Sequence, residues 1–190
     1  MKHIAMLPLV VLMVFLLRVS QTTLPEYREV RAVVATIIGD TRALLEKEVA
    51  AKGAAGAIPA CGTVALGLAT RHEAEGWRVR RVSLKVRNPA DTPDRYETTV
   101  LHRFAVLKAE RQLGSGHEHA EVVQEDSRRY LRYMRPIFIG SPVCLQCHGP
   151  SEHLSPELRN QLQKLYPDDQ ATGYELGDLR GAVSVKIQLK

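Results

Sequence analysis

The chain has 190 residues and is 45% hydrophobic and 25% charged. That composition excludes disordered, collagen-like and multi-span membrane chains, and suits one globular domain behind a short targeting segment. The formal charge is +5, but Lys2 and Arg18 flank an N-terminal apolar run, and the remainder carries 24 basic against 21 acidic residues, or +3. No basic helix interleaved with aromatics is present, so no nucleic-acid partner is expected.

Lys2 and His3 form a short positive start. Ile4 to Leu17 follows as an apolar run of 14 residues, broken by Pro8. This is signal-peptide length, and short of the ~20 residues that cross a bilayer. Arg18-Val19-Ser20-Gln21 is a poor cleavage site, so residues 1–20 read as a signal peptide or an uncleaved N-terminal membrane anchor. Either places residues 24–190, read as one domain, in the periplasm or on the outer face of the cytoplasmic membrane. A buried core helix is the competing reading, disfavoured because the run has no polar face.

Val30, Val33, Val34, Ile37, Ile38, Leu44, Leu45 and Val49 recur at helical spacing and predict a helix over 24–51. Gly53 and Gly56 interrupt it, and Ile58 to Ala69 reads as a second, buried helix starting near Pro59. Trp77 to Val86 alternates partly and reads as a strand ended by Asn88-Pro89. Thr92 is a candidate helix cap with Pro93 in the first turn. The helix it starts carries Tyr96, Val100, Phe104 and Leu107 on one stripe. Gly114-Ser115-Gly116 closes that helix and opens a polar loop. Tyr130 to Ile139 is a strand, Ser155-Pro156-Glu157 starts a helix to about Tyr166, and Ala182 to Leu189 alternates as a closing strand. This order favours an α+β fold with an antiparallel sheet.

Cys144-Leu145-Gln146-Cys147-His148 is the most specific signal. Two thiols at this spacing reach two vinyl groups of one haem as thioethers, and the next residue presents an imidazole to the iron. A zinc site would need further ligands from a second paired motif. A thioredoxin-type redox pair would need a βαβ setting, which this region lacks. Two haem propionates would bring the net charge to about +1. Of the three cysteines, Cys61 is left without a partner in the motif. It reads either as a small packed core residue or as the second axial ligand. Met134, His72 and His102 compete for that position, each with a plainer role in the core or at the surface. His153 is too near His148 to reach the opposite face. His117 and His119 flank Glu118 in what reads as a solvated loop. Arg87 is the first candidate to neutralise the propionates, with Arg128, Arg129 and Arg135 behind it. Asp168 and Asp169 read as turn carboxylates without a catalytic role.

From about Ile58 onward the chain resembles the c-type haem domains once catalogued only as a domain of unknown function, found alone and as sensor regions of bacterial histidine kinases. The resemblance rests on an ordered set of blocks: Ala60-Cys61; Arg81 to Pro89; Pro93-Asp94 with Glu97; Tyr133 to Pro136; Cys144 to Gly149; Tyr166 to Ala171; Gly173-Tyr174; and Gly177 to Gly181. It implies a PAS-like antiparallel sheet with a long N-terminal helix, and helices packed around a covalently attached haem. It also implies that Cys61 is the axial ligand opposite His148. Gly62 departs from the family pattern, which usually has Asn after this cysteine.

Two functions follow as expectations. One is a redox or haem sensor, whose output would need a separate membrane signalling protein because the chain carries no output domain. The other is a periplasmic electron carrier with a redox partner. A gas-binding sensor with an open sixth position, or a structural metal site at the motif, is the alternative. Nothing supplies a general acid or base beside a haem, so no enzymatic activity is expected.

Overall fold

A computed structural model describes residues 25–73 and 76–190, without the side chains of 61–75. The expected targeting segment and the Cys61 and His72 side chains therefore lie outside the described residues.

Helix α1 spans Pro25–Glu73. The two predicted helices are one element, broken only at Gly53, where φ 68° and ψ 173° leave the helical region. A positive φ at this break suits glycine, which has no Cβ to clash. Strand β1 is Trp77–Val82, α2 Arg95–Ala109, β2 His119–Glu125 and β3 Arg128–Phe138. Helix α3 is Pro142–His148, α4 Pro156–Leu165 and β4 Leu179–Gln188. Among the described residues no helix is long and apolar enough to cross a membrane.

The four strands form one antiparallel sheet in the order β1-β4-β3-β2. Alternate residues of a strand face opposite sides, and here each side has its own cover. Val30, Val34 and Ile37 of α1 pack on Trp77, Val79, Leu131, Tyr133, Val183, Val185 and Ile187. Val100, Leu101 and Phe104 of α2 pack on Val82, Met134 and Ala182 across the sheet. A third cluster joins Ala55 and Ile58 of α1 to Cys147, Leu154, Leu158 and Leu162. Full burial of a leucine such as Leu158 contributes about 1.5–3 kcal/mol, so this cluster fixes α3 and α4 against the second half of α1.

Three local expectations are corrected. Strand β1 stops at Val82, because Ser83 N–H bonds to Asp91 O at 3.2 Å and the chain turns away. Helix α2 is capped by Asp94, not Thr92. Asp94 Oδ1 accepts from Glu97 N at 2.7 Å and Glu97 Oε2 from Asp94 N at 2.8 Å, a reciprocal capping box. The Thr92 hydroxyl instead bonds to Pro89 O at 2.7 Å, closing the short 3-10 turn Pro89–Asp91. Finally, the supposed loop around His119 is strand β2, and Glu118 before it is not simply solvated. Its carboxylate accepts from the Tyr27 hydroxyl at 3.0 Å and from Arg31 Nε at 2.9 Å. His117 stacks edge-on against Phe104 at 5.7 Å.

At Gly181 the backbone of β4 meets the end of β1. A Cβ there would lie 2.2 Å from Val82 O and 3.2 Å from Ser83 Cβ. Gly181→Ala is therefore expected to cost about 2–3 kcal/mol and lower Tm by roughly 5–10 °C. Thermal unfolding followed by circular dichroism checks this; an unchanged Tm would mean that the two strands do not approach so closely.

Candidate functional site

Helix α3 is one short run of two turns. Its first position is Pro142, which lacks the N–H that a helix start leaves unpaired. Gly149 ends it, donating its N–H to Leu145 O at 2.9 Å. Cys144, Cys147 and His148 stand at i, i+3 and i+4, so all three share one helix face. All three line a cleft of about 760 Å³, counting its open mouth. Thr41, Leu44, Leu45, Ile58 and Ala60 of α1 supply one wall, and Arg81, Arg87, Asn88, Tyr166 and Arg180 supply much of the rest. The stripe that packs α1 on the sheet continues past Ile37 as Thr41, Leu44 and Leu45, so one helix face serves both the core and the cleft.

The imidazole of His148 is oriented from behind. Nδ1 lies 2.7 Å from Ala171 O. A carbonyl only accepts, so Nδ1 carries the proton and Nε2 is left with the free lone pair. The Tyr174 ring stands edge-on at 6.1 Å and 87°. Tyr174 N–H bonds to His148 O, and Gly173 N–H to Gly149 O, both at 2.9 Å. Burial, then the charges of Arg180 and Arg87, hold the imidazole well below its ordinary pKa, and it is neutral at pH 7. The Ser141 hydroxyl lies 3.6 Å from Cys144 Sγ.

Arg87 is buried and lines the cleft, but most of its guanidinium bonds within the protein. Nη2 donates to Cys147 O at 2.7 Å and Ala171 O at 3.3 Å, and Nε to Asp169 Oδ2 at 3.0 Å. Asp169 Oδ1 accepts from Ala171 N at 2.8 Å. Arg87 and Asp169 thus tie the end of α3 to the segment that carries the His148 partner. The sequence suggested no catalytic role for Asp169 and gave no sign of this structural one.

Several other candidates lie elsewhere. Met134 is fully buried on the α2 side of the sheet, with the sheet between it and the cleft. His102 is exposed on α2, and His153 is exposed on the 3-10 turn after α3. Arg128 and Arg129 sit beside Tyr130, which pairs with Gln188, whereas the cleft lies by Arg180. Eight residues of strand make that roughly 26 Å. Arg135 bonds to Ser115 O at 3.3 Å. His119 Nε2 meets Glu121 at 3.4 Å. Among the described residues no group of three or more His, Cys, Asp or Glu is arranged to hold a metal ion.

Sequence reasoning gave no role to Arg81, Ala171, Tyr174 or Arg180, although all four stand in the blocks that carry the resemblance. Arg180 is 6% exposed. Its Nη1 donates to Ser83 Oγ at 2.7 Å and to Lys85 O at 3.2 Å. Burial pushes its pKa down to about 10, and it stays charged at neutral pH.

An antiparallel α+β domain with a long first helix presents two thiols and an oriented imidazole on one face of a cleft. The family model described as Tll0287-like matches residues 19–188, and the chain belongs to that family. The solved structures include the cyanobacterial heme-protein Tll0287, with a TM-score of 0.66 and 24% identity, over 88% of this chain and 98% of that one. This likeness establishes the shared fold. No curated protein matches the chain.

Proposed function

We propose that this chain is an exported c-type haem protein that acts in one-electron redox, as a periplasmic electron carrier or as a redox or haem sensor for a membrane signalling partner. The observation that carries the reading is the α3 face. Cys144 and Cys147 point into the same cleft as His148, and Ala171 O fixes the His148 tautomer that leaves Nε2 available. The shared fold with the cyanobacterial heme-protein Tll0287 supports the same cofactor here.

The residues present fit the group. The cleft combines an apolar wall of Leu44, Leu45, Ile58 and Val143 with the cationic side chains Arg81, Arg87 and Arg180, as an amphiphilic ligand with carboxylates requires. Cys144 and Cys147 would hold it through thioethers, His148 would supply a nitrogen to the iron, and Arg87 keeps α3 and Ala171 in place while facing the cleft. Cys61 would supply the second ligand to the iron in this reading. Ala60, one residue earlier, lines the cleft, and Met134, His102 and His153 lie elsewhere. When bound, haem supplies reversible one-electron oxidation, its potential set by the axial pair and surrounding charges. Residues 1–20 carry the chain across the cytoplasmic membrane to its outer side, where thioethers are assembled, and are either cleaved or kept as an anchor.

The test is a pair of preparations made alongside the cytochrome maturation machinery. The full chain is expected to show a reversible oxidised–reduced haem spectrum with little change on adding CO, as a closed sixth position requires. Deletion of residues 1–20 is expected to leave cytoplasmic apoprotein. A truncated chain that acquires haem normally contradicts the export reading. Immediate CO binding by the full chain contradicts carrier and redox-sensor roles alike, in favour of gas binding.

A further inference from the structure

Among the described residues, the cleft holds one charge that no acidic side chain balances. Arg81 Nη2 meets Asp91 Oδ2 at 2.6 Å, and Arg87 Nη2 meets Asp169 Oδ2 at 2.9 Å. Arg180 lines the same cleft and is the most enclosed of the three at 6% exposed. Its side-chain bonds go to a hydroxyl and a backbone carbonyl, Ser83 Oγ and Lys85 O. Asp91 is the nearby acid, and Arg81 already takes it through both Nε, at 3.0 Å, and Nη2. The Tyr174 ring, 5.6 Å away, offers a π face but no anion.

Burying a guanidinium without a counter-charge costs several kcal/mol unless something completes the pair. The fold nevertheless holds this one firmly. Ser83 Oγ both accepts from Arg180 Nη1 and donates to Arg180 O at 2.8 Å, and the absence of a side chain at Gly181 lets Ser83 come that close. A buried cation aimed into a cleft and anchored on one nitrogen is arranged to receive an anion on the others, and a planar fork suits a carboxylate.

We propose that Arg180, fixed by Ser83 beside the His148 face of the cleft, is the seat of a carboxylate of the bound ligand. This rests on the haem reading above, under which the carboxylate is a haem propionate. Arg87, bonded to Asp169 and the end of α3, is then chiefly a positioning residue. The same charge, close to the iron's ligand His148, disfavours the oxidised state and so raises the potential.

Two comparisons test this on the full chain. In the exported holoprotein, Arg180→Met is expected to shift the midpoint to more negative values, while Arg180→Lys, which keeps the charge, stays near wild type. A midpoint unmoved by Arg180→Met, or moved equally by both, overturns the proposal. Arg180→Met also breaks the Ser83 tie, so the second comparison leaves Arg180 in place. Cys144→Ala/Cys147→Ala is loaded with haem or with its propionate dimethyl ester, and the diester is expected to bind about tenfold more weakly or worse. Equal affinity means that Arg180 takes a free anion or none, and it too overturns the proposal. A wild-type chain that carries no haem at all is a different failure, that of the haem reading itself.

Discussion

Replacing Cys144 and Cys147 together by alanine is expected to abolish covalent attachment. The exported variant should give no haem stain after denaturing electrophoresis, and its intact mass should be that of the polypeptide. The effect is all-or-none, because the two thioethers are the only covalent bonds the reading allows. The fold itself should survive. Cys147 is a small member of a cluster that keeps Ile58, Leu154, Leu158 and Leu162, and Cys144 is only partly buried. Any remaining pigment should therefore be held by His148 and the cleft, and should leave in acid acetone. Haem that stays on the denatured double variant would place the attachment elsewhere.

Cys61→Ser is expected to have the largest effect on the electronic state while leaving attachment untouched. A thiolate opposite His148 should give wild type a low-spin ferric spectrum and a potential well below that of a His–Met cytochrome. Without the sulfur, the iron should move toward high spin, the potential should rise, and CO should bind readily. Cys61→Ala should behave alike if coordination is what matters. If both variants keep the wild-type spin state and potential, Cys61 is a packed core residue. The structure also removes the easiest replacements. Met134 lies across the sheet from the cleft, and His102 is exposed on α2.

The α3 site was the most legible part of the chain, because its information is local. Two cysteines and a histidine within five residues share a helix face whatever surrounds them. The Asp94–Glu97 capping box was just as local, and Thr92 with Pro93 merely offered a competing start. Strand β2 escaped notice for two reasons. His119 to Glu125 lies at the sheet edge, where no residue is fully buried and the alternation is weak. Its two-residue turn, Asp126-Ser127, takes φ 48° and 63° without the usual glycine. Arg180 escaped for a different reason. Its meaning depends on Ser83, 97 residues away in sequence, and that contact exists only because β4 inserts between β1 and β3. Similarly, Arg87 read as a ligand-facing cation. Its bonds to Cys147 O and Asp169 could be seen only once α3 and the 169–174 segment were folded against it.

The central claim, that the cleft holds a haem bonded to Cys144 and Cys147, is tested most directly by acid–acetone extraction and intact mass of the exported wild-type chain. It should be made alongside the maturation machinery. The account predicts that the colour stays with the protein and that the mass exceeds that of the processed or unprocessed polypeptide by one haem. Colourless protein with the mass of the polypeptide alone would contradict it.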